Sequence, residues 1–411
     1  MHSHRSDRLL AAARGSRAKL GQELLRAHLG SPTASVDLPR AFREARALGS
    51  RDRRIAQDAI YMVARHQARY RRALGPRLGQ GADLIELLYL SALVELGLDP
   101  AIATQLTSLP FPLEAAPHSD PLDQLAMEGS LPRWLLERSE DAQALVRGAQ
   151  GRAPTTIRTN RARISRDKLR DRLASEDILT EPGRFAPDAL HIQGRANLQG
   201  SRAFRDGLFE IQDEGSQLLA LLVQPTGRVL DWCAGAGGKS LALAALHDGP
   251  LLALDVRARA LQEAEKRAHR AGFRLQTQVH GQAAVPQAER VLVDAPCSGT
   301  GTLRRDPCLR WRLSPESLDA LVQTQAQVLD QAAAHTAPGG QLVYATCSVL
   351  PCENQEQVAA FLARHPDWRQ LPAGPRLPAS CSDMIQGPDL APRPERHGTD
   401  GFFAAVLQAP G

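Results

Sequence analysis

The chain has 411 residues, 43% of them hydrophobic and 23% charged, enough for two or three domains at roughly 150 residues each. No run of about 18 apolar residues occurs, which excludes a membrane-spanning helix. The start, MHSHRSDRLLAAARGSR, lacks the apolar core of a signal peptide, so a cytoplasmic protein without membrane association is expected. The charge is uneven: residues 1–80 hold sixteen Arg and one Lys against six acidic residues, a net of +11 in a chain whose total is +5. A basic block of this kind is the footprint of a polyanion partner and favours nucleic acid.

Residues 1–140 read as a helical domain. Ile55, Ala59, Ile60, Val63 and Gln67 recur at spacings of three and four. A second, densely apolar helix spans 83–96, separated from the first by Gly75, Gly79 and Gly81. The stretch 109–132, with five prolines, reads as a loop leading to a short linker. Residues 150–225 read as a small α/β region: a strand TTIRT at 155–159, a helix capped by Ser165, and the strand at Phe209 followed by a helix at 216–223. Arg158 and Arg161 make this region a candidate RNA platform.

Residues 226–411 alternate strands (RVLDW, LLALD, RVLVD, QLVYA) with helices at 239–247, 257–271, 315–335 and 353–365, and end in a strand at 402–407. This pattern predicts a mainly parallel sheet covered on both faces. Within it, Asp231-Trp-Cys-Ala-Gly-Ala-Gly-Gly-Lys239 follows a strand and opens a helix. Gly235, Gly237 and Gly238 allow a tight turn against a ligand. Asp255 closes the strand that follows this loop and helix, where a carboxylate suits a ribose diol. This is an adenosine-cofactor layout, with Asp231, Cys233, Ala234, Gly235, Ala236, Gly237, Gly238, Lys239, Asp255, Arg257 and Asp294 as candidate contacts. Dehydrogenases share the layout.

The cysteines separate the options. Six are present, with no C-x-x-C pair, so neither a zinc site nor a disulfide framework is expected. Two of them, Cys297 in DAPC and Cys347 in TCS, follow successive strands and so reach the carboxyl edge of the sheet, where ligands bind. A dehydrogenase has no use for them. Nothing in the residues themselves says which would be a nucleophile.

The motifs DWCAGAGGK, LDVR, DAPCSGTGTLRRDP, YATCSVLPCEN and GTDGFFAAVL resemble the RsmB and Nop/Sun family of RNA cytosine-5 methyltransferases over residues 150–411. The N-terminal region, with LGSRDRRI and YMVAR, resembles the NusB-like helical domain of the RsmB branch. The resemblance implies a Rossmann-like class I methyltransferase domain at 226–411, with an antiparallel last strand. It is preceded by a small α/β RNA-binding region at 150–225 and a NusB-like helical domain at 1–140. The cofactor implied is S-adenosyl-L-methionine. The implied reaction is methylation of carbon 5 of an RNA cytidine, by Cys347 as nucleophile with Cys297 assisting release. Asp294 is implied beside the base, and Lys239 is a candidate to tune a thiol or orient the base. Small-subunit rRNA is the expected substrate. A tRNA substrate, or a catalytically weak ribosome-assembly factor, is the alternative. Arg304 and Arg305 are candidate phosphate contacts, Trp311 a candidate stacking surface, and a monomer is expected. Two positions depart from the family pattern: Ala236 replaces a usual proline, and Gln282 takes the place of an acidic residue expected near the adenine, keeping an acceptor without the charge.

Overall fold

A computed structural model describes residues 3–30, 49–75, 84–107, 109–112 and 114–411. The chain divides into two compact units. One comprises residues up to Gln150 together with Leu303–Ser314, and the other comprises Gly151–Thr302 and Pro315–Gly411. A short segment that lies between Cys297 and Cys347 in sequence therefore belongs to the N-terminal unit.

That unit is helical. Its helices include α1 (Ser3–Ala13), α2 (Gly15–Gly30), α3 (Ser50–Leu74), α4 (Leu84–Glu95) and α5 (Pro100–Thr107). The α3 stripe of Ala59, Ile60, Val63 and Gln67 is buried, as the three-and-four spacing requires, and its apolar members pack with Leu87, Leu88, Leu90 and Leu93 of α4. The expected break at Gly79 and Gly81 lies outside the described residues.

The expected loop at 109–132 is corrected. It contains α6 (Pro121–Gly129), followed by α7 (Arg133–Glu137) and α8 (Ala142–Ala149). Proline density suggested a loop, but Pro121 stands at the start of α6, where its fixed φ suits a helix and its missing N–H costs nothing. Asp120 caps this start by accepting from the Leu122 and Asp123 amides at 2.8 and 2.9 Å. In the segment 303–314, Arg310 is fully buried and donates to the carbonyls of Gly129 (2.7 Å) and Ala149 (3.1 Å), the last residues of α6 and α8. It thereby supplies donors to two helix ends whose last carbonyls have no partner within the helix.

The second unit contains two sheets. The smaller is antiparallel in the order β2-β3-β1-β4: β1 (Thr156–Thr159), β2 (Thr180–Pro182), β3 (Ala189–Ile192) and β4 (Phe209–Ile211). Its helix α9 (Arg166–Ala174) is capped by Ser165, as expected. The helices α10 (Arg202–Arg205) and α11 (Glu214–Val223) flank β4.

The larger sheet has a parallel centre of β5 (Val229–Asp231), β6 (Leu251–Asp255), β7 (Gln276–Val279), β8 (Ala288–Asp294) and β9 (Thr336–Thr346). These lie in the order β9-β8-β5-β6-β7, and β13 (Phe403–Gln408) pairs antiparallel with β9. The short strands β10 (Arg369–Leu371), β11 (Ile385–Gln386) and β12 (Asp389–Leu390) extend the β13 side. Helices α12 (Gly238–Ala244), α13 (Ala258–Ala271), α15 (Pro315–Ala334) and α16 (Gln355–Arg364) cover the sheet; α14 (Leu309–Arg312) lies in the segment of the other unit. The inner strands β5 and β6 and the carboxyl-terminal parts of β8 and β9 are near-continuously apolar because both faces are buried, whereas the edge strand β7 (QTQV) is mostly polar. The chain order reverses at β5, whose neighbours are β6 and β8, so the crevice beyond its carboxyl end is the expected ligand site.

Candidate active site

The glycine-rich loop occupies that crevice. Gly235 and Gly237 have φ of +54° and +78°, conformations that glycine adopts without strain. Asp231 is fully buried. Its Oδ2 accepts from Ser240 Oγ at 2.6 Å, and its Oδ1 has no hydrogen-bond partner. Burial raises its pKa to about 7, aided by the nearby Asp294 and Asp255 and opposed by Ser240 and Lys239. Asp255 accepts from the Gly235 amide (2.8 Å) and from the Arg257 backbone and guanidinium. Its burial opposes the charged form, but these bonds outweigh it and lower its pKa. A left-handed glycine turn, a carboxylate at the end of β6 and a buried acceptor on Asp231 fit an adenosine cofactor. Gln282 is exposed in the turn after β7, and the neighbouring His280 ring faces the Trp232 carbonyl at 2.8 Å. Cys233 is half-buried, and its thiol pKa is raised, chiefly by burial.

Beyond β8 and β9 stand the two cysteines. Cys297 and Cys347 are each half-buried, and their sulfurs are 3.3 Å apart. The Cys297 thiol pKa is raised well above its usual value. The hydrogen bond to Cys347 is the largest cause, followed by burial and the charge of Cys347, with Glu353 and Asp294 adding to it. Lys239 donates to Asp294 Oδ2 at 2.5 Å. Burial alone would lower the Lys239 pKa, but Asp294, with Cys347 and Asp231 beyond, more than offsets this and raises it. The ammonium also lies 5.8 Å from the centre of the Phe402 ring, within cation–π range.

A buried polar network holds the two cysteine loops together. Glu353, fully buried, accepts from the Ser298 amide (2.7 Å), Ser298 Oγ (2.5 Å) and Gln325 Nε2 (2.9 Å). The hydroxyls of Thr300 and Ser348 face each other at 3.0 Å, and the Gly301 amide donates to the Cys347 carbonyl at 2.9 Å. The GTDG turn closes over this region: Gly401 N–H donates to the Gly301 carbonyl, and a Cβ on Gly301 would lie 2.1 Å from the Gly401 oxygen. Sequence reading singles out neither Glu353 nor Ser298, although the signal is present in the Glu of YATCSVLPCEN.

The candidate RNA contacts are dispersed. Arg158 is buried and donates to Gln212 Oε1 at 2.7 Å, and its pKa is lowered to about 10 by burial. Arg161 is exposed and paired with Asp188 at 3.4 Å. Arg304 is buried and Arg305 exposed within the helical unit, where Trp311 donates to the Ala64 carbonyl at 2.9 Å. No group of metal-ligating side chains occurs among the described residues, and no helix there is long and apolar enough to cross a membrane.

The sheet order with its antiparallel last strand, the glycine loop at the switch point and the paired cysteines together define a Rossmann-like, S-adenosylmethionine-dependent methyltransferase. The family model for 16S rRNA methyltransferase RsmB/F matches residues 218–408, and that for the RsmF/B-like ferredoxin-like domain matches 131–199. The chain belongs to this RsmB/F family. A Bacillus subtilis protein described as "Probable ribosomal RNA small subunit methyltransferase B" is 33% identical over 313 residues, 71% of this chain and 69% of its own length. The ribosomal RNA small subunit methyltransferase B of Cronobacter sakazakii is 34% identical over 67% of this chain and 66% of its own length. The chain thus spans about two thirds of such relatives. The crystal structure of PH0851 aligns with a TM-score of 0.76 at 24% identity, over 94% of this chain and 98% of the other. That of a methyltransferase homologue from Pyrococcus horikoshii aligns at 0.59 and 23%, over 71% and 100%. Both likenesses show the fold.

Proposed function

We propose that this protein methylates carbon 5 of a cytidine in small-subunit rRNA through a covalent bond between Cys347 and the base. The observation that carries this reading is the pair of thiols 3.3 Å apart, on loops that follow neighbouring strands and flank the Lys239–Asp294 pair. The relatives' printed names supply the substrate class.

Carbon 5 of cytosine is a poor nucleophile, and covalent addition divides one hard step into two easier ones. The Cys347 thiolate adds to carbon 6, forming a C–S bond and moving the electron pair of the 5,6 double bond toward carbon 5 and the ring. Lys239 and Asp294 form a charged pair that holds this edge of the base and supports the developing charge at ring nitrogen 3. When bound in the crevice lined by Asp231, Gly235 and Asp255, S-adenosylmethionine supplies the methyl group that carbon 5 acquires. Cys297 then takes the carbon 5 proton, the electrons of that C–H bond restore the double bond, and the C–S bond breaks to return Cys347 as thiolate.

The division of roles is the one the resemblance to the RsmB and Nop/Sun family implies, with attack by Cys347 and release assisted by Cys297. Cys297 has lost its own proton to solvent before it takes that of carbon 5. Cysteine spacings that offer no disulfide framework support a reducing, cytoplasmic compartment. A monomeric enzyme is part of this reading.

The test is methyl transfer from labelled S-adenosylmethionine to rRNA of a strain lacking the protein. Label in 5-methylcytosine is expected with wild type, none with Cys347→Ala, and a denaturation-resistant protein–RNA adduct with Cys297→Ala. Full activity in Cys347→Ala would overturn the reading.

A further inference from the structure

The smaller sheet reaches into the cofactor crevice through two hydrogen-bonded relays, both ending on carbonyl groups of the glycine-rich loop. The first begins at Glu210 of β4, which is buried. Its Oε2 accepts from Arg267 Nη2 at 3.0 Å and Nε at 3.3 Å, and its Oε1 accepts from Arg270. Arg267, thus held, donates through Nη1 to the Ala236 carbonyl at 2.7 Å. The second relay passes through Gln212. Its Oε1 accepts from Arg158 of β1 at 2.7 Å, while its Nε2 donates to the Gly238 carbonyl and to Ser216 Oγ, each at 3.2 Å.

The helix that carries Arg267 is itself seated on this sheet. Asn160 Nδ2 donates to the Ala271 carbonyl at the end of α13 and to the Gly207 carbonyl, both at 2.9 Å. Gly207 lies so close that a Cβ there would stand 1.9 Å from the Arg270 carbonyl. Arg267 is therefore fixed at its backbone and at its head group.

A trans peptide is planar, with C=O and N–H pointing in opposite directions. Fixing the Ala236 carbonyl therefore fixes the direction of the Gly237 amide, and fixing the Gly238 carbonyl fixes that of Lys239. In a glycine turn these planes rotate easily. Within the turn the Gly237 amide donates to the Ala234 carbonyl, so Arg267 grips the other end of the same plane, and the Gly237 carbonyl accepts from the Leu241 amide, each at 2.9 Å.

We propose that Arg267, anchored by Glu210, and Gln212, anchored by Arg158, are positioning residues for the cofactor loop, so that the small sheet sets the affinity for S-adenosylmethionine. This rests on the reading of residues 231–239 as the cofactor site.

The experiment uses the full chain and the variants Arg267→Met, Arg267→Lys and Glu210→Gln, with Lys266→Met on the same helix, α13, as control. Amide hydrogen exchange over residues 234–240 is measured without ligand, and S-adenosylmethionine binding is measured by calorimetry. Arg267→Met is expected to speed exchange in that stretch and to weaken binding roughly tenfold, equivalent to about 1.4 kcal/mol. Its rRNA affinity is expected to match the control. Glu210→Gln is expected to act in the same direction although its carboxylate does not touch the loop. The double variant is expected to add little, because the two residues form one relay. Arg267→Lys, whose single ammonium cannot serve both Glu210 and Ala236, is expected to fall between wild type and Arg267→Met, and it decides the matter if Arg267→Met does not fold. Wild-type exchange and affinity in the lysine and glutamine variants would overturn the proposal alone. Failure of the wild type to bind S-adenosylmethionine would overturn the cofactor reading and the proposal together.

Discussion

Glu353, in the loop after Cys347, accepts a hydrogen bond from the backbone amide of Ser298, the residue next to Cys297, at 2.7 Å. A buried carboxylate thus ties one cysteine loop to the other. Two further donors, Ser298 Oγ and Gln325 Nε2, complete its shell. A buried charge is tolerated when charge-assisted bonds surround it in this way.

Glu353→Gln keeps the shape but offers one acceptor oxygen where there were two. It is expected to cost about 1–3 kcal/mol of stability, read from the urea midpoint. Glu353 is also one of the charges that raise the Cys297 pKa, so its neutralisation is expected to lower that pKa. Peptide-resolved alkylation against pH reads this directly. An inflection for Cys297 that stays put would show that the carboxylate acts only as a brace.

Asp231 gives a pH-dependent signature. Its folded-state pKa is raised to about 7, while an unfolded aspartate titrates near 3.9. The folded protein therefore holds this proton more tightly between those values. The group's contribution to stability is complete below about pH 4, declines as pH rises toward 7, and is flat above. The decline amounts to at most about 4 kcal/mol. Asp231→Asn is expected to lack it, so the variant should gain on wild type as pH is raised from 4 to 8. Parallel stability–pH curves for the two proteins would contradict the assignment.

Arg310 serves the helical unit as a buried clamp. Burial lowers its pKa to about 10, which leaves it charged at neutral pH. Arg310→Met removes the donors for the carbonyls of Gly129 and Ala149 and is expected to cost about 2–4 kcal/mol. Arg310→Lys is expected to recover only part of this, because a single ammonium lacks the planar fork. Denaturation of both variants checks this, and a lysine variant as stable as wild type would refute the clamp.

Gly301→Ala tests the closure over the cysteines. The added Cβ would meet the Gly401 carbonyl at 2.1 Å, which is backbone and cannot swing aside. A loss of about 1–3 kcal/mol is expected. Because the Gly301 amide also holds the Cys347 carbonyl, faster alkylation of Cys347 should accompany it. Unchanged melting and alkylation would mean that the GTDG turn moves freely.

Much of this was legible in the sequence where one local rule decided the outcome. LLALD is β6 to the residue, and the helix expected at 315–335 ends one residue earlier. The cysteines reached the sheet edge because each follows a strand, which chain order alone implies. Other features depended on partners far along the chain. The short strands β2 and β3 carry little signal in three or four residues and exist through pairing with each other and with β1. Arg158, chosen as a surface cation, is instead buried and bonded to Gln212, a distant residue in sequence. Asp120 and Pro121 did encode a helix start, but proline density masked it.

The passage of residues 303–314 into the helical unit bears on how this protein could be dissected or recombined. A break after Gln150 is not a clean modular boundary. A fragment starting at Gly151 would retain Leu303, Cys308 and Arg310, which are buried in the intact chain and belong to the unit whose helices the fragment lacks. Conversely, an isolated N-terminal half would leave the ends of α6 and α8 without the guanidinium that closes them. Any chimera that exchanges the helical half must carry a matching short piece from the middle of the catalytic half. The two halves are therefore constrained to be inherited together, although the sequence places them end to end.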